Sequence, residues 1–285
     1  MKLVPGILAA LVLIACGGSA PGRTTTAEIA NVDPSAAAGI RIAWVGHAVG
    51  DRATKVEARS MTAVVGAGTA QAVEVVTVEH REETREVLVA EGGELTKLAI
   101  TYTKHRRTDT MQGTARDKPT PTLGKTYVVW REGGELEVTR EDGSAPSAEE
   151  QTAVRKGNRS VGKPDAMETF IASRVWNLDE AVTLDAVQLA AIGELMSDDD
   201  VKPSAMTLTL VAADDATAAF ALSFVMRGPT EDGGVLTFEL AGKVVVERRT
   251  GRVQTIDLSG PFSGTAGKAL IEIRGTISNK AVYTY

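Results

Sequence analysis

The chain has 285 residues, of which 43% are hydrophobic and 4% aromatic, and its formal net charge is −6. This length and hydrophobic content suffice for a sizeable core, in one large domain or two small ones. The mild acidity is spread along the chain, which argues against a nucleic-acid partner and against electrostatic attachment to anionic lipid. The few aromatic residues make a stacking platform for sugars or bases an unfavoured function.

The N-terminus carries an apolar run over residues 3–14. The run matches a signal-peptide core and is shorter than the roughly 20 residues that span a bilayer. It ends in Leu13-Ile14-Ala15-Cys16, which resembles the lipobox of bacterial lipoproteins that signal peptidase II processes. The resemblance implies cleavage between Ala15 and Cys16 and attachment of diacylglycerol to the Cys16 thiol, with further acylation in many members of that family. Acyl chains in this number give a stable membrane anchor.

The residue after the lipobox is Gly17 rather than aspartate, which by the same resemblance implies the outer membrane of a bacterial envelope, facing the periplasm, with surface exposure left open. Residues 1–15 are therefore predicted to be a signal peptide. Residues 16–38, rich in Gly, Ala, Ser, Thr and Pro, are predicted to be a lipidated tether. Because Cys16 is the only cysteine, no intrachain disulfide can form.

Residues 39–285 are predicted to be one β-rich domain, with a division into two similar halves, 39–142 and 203–285, left open. Alternating apolar residues favour a strand over residues 40–49 and a long β-rich stretch after residue 70. Gly92-Gly93 and Gly133-Gly134 are predicted hairpin turns, since glycine admits the positive φ that tight turns require.

The central segment, residues 147–200, is predicted to be helical. Ser147 and Glu150 form a capping-box pattern, which predicts a helix over 148–156. A second helix is predicted over 165–174. A third, over 183–196, places Leu184, Val187, Ala191, Leu195 and Met196 on one stripe.

Period-two patterns return after residue 203, with a hairpin near Thr250-Gly251 and a last hairpin pairing residues 271–277 with 281–285. Strands, helices and strands in this order predict an α+β fold: a mainly antiparallel curved sheet or half-barrel with two or three helices on one face. This inferred architecture loosely resembles the half-barrel lipoprotein carriers of bacterial envelopes.

The search for chemistry finds no catalytic motif, no cofactor motif and no metal site. His47, His80 and His105 each fall in a predicted strand but lack metal-ligand spacing. The acidic run at 198–200 lacks the spacing of a calcium loop. No metal ligand or catalytic residue is therefore assigned.

The first hypothesis is a non-enzymatic envelope lipoprotein, anchored through lipid, with a structural role or an unknown envelope protein as partner. The alternative is a carrier that binds a hydrophobic ligand such as a lipid; an enzyme with an unrecognised site comes third. The carrier hypothesis predicts an apolar cavity of roughly 300 to 1,000 Å³. Its groove residues would be Leu184, Val187, Phe220, Leu222, Phe224, Phe238 and Leu240.

Overall fold

The computed structural model describes residues 39–196, 202–230, 234–266 and 271–285. These residues are mostly antiparallel β, with 61% strand, and form a large sheet of twelve strands that does not close, with three helices. The prediction of a mainly antiparallel α+β fold is confirmed at this level. The predicted signal peptide and tether, with Ala15 and Cys16, and the acidic run at 198–200 lie outside the described residues.

The strands alternate apolar with polar or charged side chains along most of their length, as the period of a β-strand requires. In chain order they are β1 (Ile40–Arg41), β2 (Arg52–Val65), β3 (Val73–Glu91), β4 (Glu94–Met111), β5 (Thr114–Lys118), β6 (Thr126–Glu132), β7 (Glu135–Arg140), β8 (Val175–Trp176), β9 (Ala181–Thr183), β10 (Lys202–Ala213), β11 (Thr217–Pro229), β12 (Val235–Glu247), β13 (Val253–Ala266) and β14 (Ile271–Thr284).

Both β-rich flanks of the sequence share one sheet. Its order is β7-β6-β4-β3-β2-β14-β13-β12-β11-β10-β9, with β5 paired to β4, and β1 and β8 form a separate two-stranded sheet. The last strand pairs with β2 along its length, from Ile273 opposite Val65 to Thr284 opposite Thr54. The first and last strands of the large sheet in chain order, β2 and β14, therefore pair in its middle.

Three of the predicted hairpin turns are confirmed. Gly92 and Gly93 connect β3 to β4 with φ of 62° and 87°, and Gly133 and Gly134 connect β6 to β7 with φ of 59° and 92°. Gly251 follows β12 with φ of 76°. These values lie where glycine has no steric penalty and other residues do.

The helices begin where the sequence provides caps: α1 (Ala148–Gly157), α2 (Ala166–Ala172) and α3 (Ala186–Met196). The capping box of α1 is complete, because Ser147 accepts from the Glu150 amide while Glu150 accepts from the Ser147 amide. Asp165 caps α2. The three predicted helices are thus confirmed, with α3 starting later than predicted because Asp185 accepts from the amides of Val187 and Gln188.

Two apolar cores cover different parts of the same sheet face. The larger core joins the inner side chains of β10–β14 and the end of β2 to α2 and α3. The smaller core joins β3, β4, β6 and β7 to Val154 of α1.

Two strand predictions are wrong. Of the strand predicted over 40–49, only residues 40–41 form one. The amides that follow donate to the β12–β13 turn, to the β3–β4 turn and, from Gly50, to Val87 on β3, and not to one neighbouring strand. The predicted C-terminal hairpin is one continuous strand, β14, since β13 and β2 pair with both of its edges.

Candidate functional site

The middle of the inner sheet face carries charge where the strand pattern predicts apolar residues. Successive side chains of a strand point to opposite faces, so the face of β2 that buries Met61 and Ala63 continues through Arg59, Glu57 and Lys55. On β3 the same face carries charges of alternating sign at positions 79, 81, 83 and 85. We call this set the charge lattice: Lys55, Glu57, Arg59, Glu79, Arg81, Glu83 and Arg85.

The strand register places opposite charges side by side. Lys55 lies opposite Glu83, Glu57 opposite Arg81, and Arg59 opposite Glu79. On the far side of β3, Arg81 faces His105 and Glu79 faces Arg107 on β4. Charge therefore alternates along β2 and β3 and across the pair that they form, the arrangement that favours cross-strand pairs.

Glu57 is the centre of the lattice. Its carboxylate lies 2.6 Å from Arg81 Nη2, 3.1 Å from Lys55 Nζ and 3.4 Å from Arg59 Nη2. Burial alone would raise the pKa of Glu57, but the charges of Lys55, Arg81 and Arg59 outweigh burial and hold that pKa far below its ordinary value. Glu57 is therefore ionised at every pH at which the protein is expected to work.

Glu83 is the second buried acceptor. Its Oε1 lies 2.6 Å from Arg85 Nη2 and its Oε2 lies 3.3 Å from Arg81 Nε. Burial opposes ionisation here too, yet the charges of Arg85, Arg81 and Lys55 lower the pKa of Glu83 to about 2. Desolvation lowers the pKa of Lys55 to about 8, because Glu57 offsets only part of it.

The C-terminal end of α1 covers the lattice. Asn158 Nδ2 donates to Tyr102 Oη at 3.4 Å, and a Cβ added at Gly157 would lie 3.5 Å from Arg81 Nη1. Burial, with the charges of Arg159, Arg59 and Arg107, lowers the pKa of Lys156 to about 8. The C-terminal end of α1 and the long side chains around it thus separate the lattice charges from water.

A second titratable cluster surrounds a cavity of about 60 Å³ beside the lattice, lined by residues that include His47, Arg85, Asp165, Glu168 and Tyr285. Burial raises the pKa of Asp165 and raises that of Glu168 well above its ordinary value, and the neighbouring Asp165 charge raises Glu168 further. This volume holds a few water molecules. It is far below the 300 Å³ at which ligand pockets begin.

The lattice is an internal arrangement whose charges pair with one another, so its direct effect is to set strand register. A buried pair is costly to break, because removing one partner leaves an uncompensated charge. Among the described residues, no group of three or more His, Cys, Asp or Glu side chains is placed to hold a metal ion. His80 and His105 lie on β3 and β4, whereas His47 lies outside any strand, contrary to prediction.

The structure brings most of the predicted groove residues together inside the larger core. Leu184, Phe220, Leu222, Phe224, Phe238 and Leu240 are all buried there. The expectation that Val187 shares their side is wrong: it is 79% exposed, and α3 contacts the body through Ile192 and Gly193. Whether these residues ever bind a ligand stays a prediction.

The charge lattice was missed from the sequence, although a signal was present. Charged residues recur at every second position from 55 to 59 and from 79 to 85, in phase with buried apolar positions of the same strands. Charged residues on a strand face more commonly lie in solvent, so the spacing alone does not indicate burial. The in-phase continuation into Met61 and Ala63 could have indicated burial.

In the part of the chain that the structure describes, no helix is long and apolar enough to cross a bilayer. The comparison with protein-family models and the comparison with curated proteins give no match.

Two solved structures are weakly similar. One is titled "Lipid-protein interactions in lipovitellin", with a TM-score of 0.43 and 6% identity over 84% of this chain and 25% of the other. The chain thus spans about a quarter of the length of that protein. The second is titled "Asymmetric conductivity of engineered proteins", with a TM-score of 0.23 and 10% identity over 81% of this chain and 100% of the other. Similarity at these levels carries no argument about fold or function.

Proposed function

We propose that this protein is a non-enzymatic lipoprotein of the bacterial cell envelope, anchored through Cys16 and presenting a β-rich body in a structural or protein-interaction role. The lipobox-like sequence 13–16 supports the anchor. The observation that carries the role is the occupied inner face of the sheet. Two packed cores and the charge lattice fill that face with the protein's own side chains.

An occupied inner face directs binding to the outer surface. Three cationic side chains lie within 4 Å of the Glu57 carboxylate and two lie within 4 Å of the Glu83 carboxylate. These buried carboxylates are therefore already paired within the protein. The exposed apolar side chains include Val187 on α3 and a group of three in residues 43–50, Trp44, Val45 and Val49. Exposed apolar side chains that group together mark interaction sites.

The test of anchoring is a Cys16→Ala variant of the full chain, expressed in a bacterial host with a lipoprotein pathway. We expect the wild type to incorporate radiolabelled palmitate and to fractionate with the outer membrane, and the variant to do neither. A Ser19→Ala variant is the matched control. Wild-type protein without label would contradict the anchor.

The test of the interaction role is crosslinking in intact cells, with a photoreactive residue at Val187 on α3 or, as control, at the outward-facing Val78. Val187 and Val78 are both more than half exposed. We expect a discrete crosslinked envelope protein from Val187 and not from Val78. Identical, diffuse patterns from both would contradict a specific partner.

A hydrophobic-ligand carrier is the second candidate, and α3 favours it. This helix carries only Gln188 and Glu194 as polar side chains, yet Ala186, Val187 and Ala190 face solvent. An apolar helix with little burial resembles a cover that could leave the larger core. Native mass spectrometry with organic extraction decides: a stoichiometric lipid supports the carrier, and a clean apoprotein mass contradicts it.

A further inference from the structure

Residues 43–50, which we call the strap, cross one end of the sheet. The amides of Ala43 and Val45 donate to the carbonyls of Arg248 and Thr250 in the β12–β13 turn, at 2.8 and 2.9 Å. Further along, the His47 amide donates to Gly93 in the β3–β4 turn at 2.8 Å. The strap therefore joins hairpin ends from both flanks of the sheet.

Glycines hold the strap close to the second turn. A Cβ at Gly46 would lie 2.4 Å from Gly93 Cα, and a Cβ at Gly93 would lie 3.2 Å from Trp44 Cη2. The Trp44 ring is thus seated on the glycine turn.

The outer side of the strap is apolar. Trp44, Val45 and Val49 are 42%, 51% and 67% exposed. The strap contains one titratable residue, His47, whose pKa is lowered by burial and by the Arg252 charge, so this residue is neutral at pH 7. An uncharged segment therefore exposes a tryptophan and two valines at one end of the molecule.

The described chain begins beside the strap. Ile40 and Arg41 pair with Trp176 and Val175, so residue 39 enters the fold four positions before Ala43. Residues 17–38 connect that point to the proposed lipid anchor at Cys16. The strap end is therefore the part of the body that is closest in sequence to the proposed membrane anchor.

Charges around the strap nearly cancel. Arg52 pairs with Glu86 at 2.9 Å, and Arg249 is balanced by Glu247 at 4.0 Å. The neighbouring turn also carries Glu91 and Glu94. The surroundings of the strap therefore offer little electrostatic attraction to anionic lipid, so any affinity of the strap for a membrane must come from its apolar side chains.

We propose that the strap is a membrane-contact segment, with Trp44, Val45 and Val49 inserted into the interfacial region of the bilayer that carries the anchor. Tryptophan is enriched at that depth because its ring is apolar and its N–H is polar. Valine side chains add buried apolar area. The inference rests on the proposed lipid anchoring and adds the orientation of the body: strap end down, sheet edges to the side.

The experiment uses the full lipidated chain reconstituted in vesicles of phosphatidylethanolamine and phosphatidylglycerol, with ordinary or brominated acyl chains. Bromine quenches tryptophan emission only at short range. We expect brominated lipid to quench the wild type and a Trp44→Phe variant to lose most of that quenching. A Trp130→Phe variant should keep it, because Trp130 lies on β6 with its ring under Lys97 Nζ at 5.2 Å.

A matched pair of valines tests insertion without removing the fluorophore. Val45 and Val78 are both 51% exposed. The Gly50 amide of the strap donates to the Val87 carbonyl on β3 at 2.9 Å, and Val78 lies about 30 Å along β3 from that contact. Val45→Asp should reduce bromine quenching at least about twofold, because a carboxylate resists transfer into the interface. Val78→Asp should leave bromine quenching unchanged. Raising the salt concentration should not reduce the bromine quenching of the wild type.

The outcomes separate the two proposals. If the wild type fails to float with vesicles, the lipid anchor and the strap proposal both fall. If the wild type floats but Trp44→Phe and Val45→Asp leave bromine quenching unchanged, the strap proposal alone is overturned. Flotation with quenching lost in both variants supports the strap as the contact.

Discussion

At the scale of single residues, the buried ions of β2 and β3 are the feature that separates this interior from an ordinary apolar core. Lys55, Glu57, Arg59, Glu83 and Arg85 are each at most 8% exposed. Taking ions out of water costs several kcal/mol each unless good partners are in place. These ions therefore stabilise the folded protein only as a complete set. Loss of one carboxylate leaves several buried cations without an opposite charge.

Glu57→Gln should lower the free energy of unfolding by about 3–5 kcal/mol, because Lys55, Arg59 and Arg81 lose their shared partner. Urea unfolding of the variant and the wild type measures this difference in the free energy of unfolding. Glu82→Gln, which removes only the pair with the exposed Lys104, should cost no more than about 1 kcal/mol. Adding Lys55→Met to the first variant should restore part of the loss; equal effects of Glu57→Gln and Glu82→Gln would contradict a central role for Glu57.

The carboxyl of Glu168 gives stability a pH dependence. Because burial raises its pKa in the folded state, the folded protein keeps a proton that the unfolded chain loses above about pH 4.3. The contribution of Glu168 to stability should therefore fall as pH rises from about 4.3 to its folded pKa, by no more than about 1.4 kcal/mol per pH unit.

Glu168→Gln removes that proton uptake and keeps an acceptor for the Val253 amide. We expect the variant to match the wild type near pH 4 and to become relatively more stable with rising pH, measured by urea unfolding across pH 4–9. Glu149→Gln, on the exposed face of α1, should show no such trend. A constant difference across pH would mean that Glu168 is ionised in the folded protein.

At the scale of elements, the local signals of turns and caps were readable and the strap was not. Gly92-Gly93 and the Ser147–Glu150 pair act through their own neighbours in sequence, so their residue types are enough to predict them. Residues 40–49 alternate like a strand. Their hydrogen-bond partners, Gly93 and Thr250, are remote in sequence, and no local pattern announces them.

Gly46→Ala should loosen the strap, since the new Cβ would lie 2.4 Å from Gly93 Cα. The expected loss of stability is about 1–3 kcal/mol, the range for overpacked contacts, together with faster hydrogen exchange at the His47 amide. Ala48→Ser, at an exposed position of the same strap, should change stability by less than about 0.5 kcal/mol. Unchanged exchange at His47 in Gly46→Ala would show that the close approach to Gly93 does not hold the strap.

At the scale of the whole molecule, the pairing of β14 with β2 makes the two β flanks interdependent. The charge lattice lies at this junction, beside both apolar cores. Unfolding of either flank would expose a long strand edge of the other. The one-domain prediction therefore has a direct consequence for cooperativity.

Hydrogen exchange in increasing urea should show one transition for both flanks. Peptides containing Tyr127 on β6 and Phe220 on β11, both fully buried, should become exchange-competent at the same urea concentration. Two separate midpoints would show that residues 39–142 and 203–285 behave as independent halves.

The sequence by itself determined the order of strands, helices and strands, three hairpin turns, and the helix cap at Ser147. Each depends on backbone preferences and on side chains a few residues apart. Only the tertiary structure decided that β14 is one strand beside β2, that α3 turns Val187 outward, and that Lys55, Glu57 and Glu83 are buried. These depend on which distant residues become neighbours: a charged side chain can be buried only where the fold places an opposite charge against it.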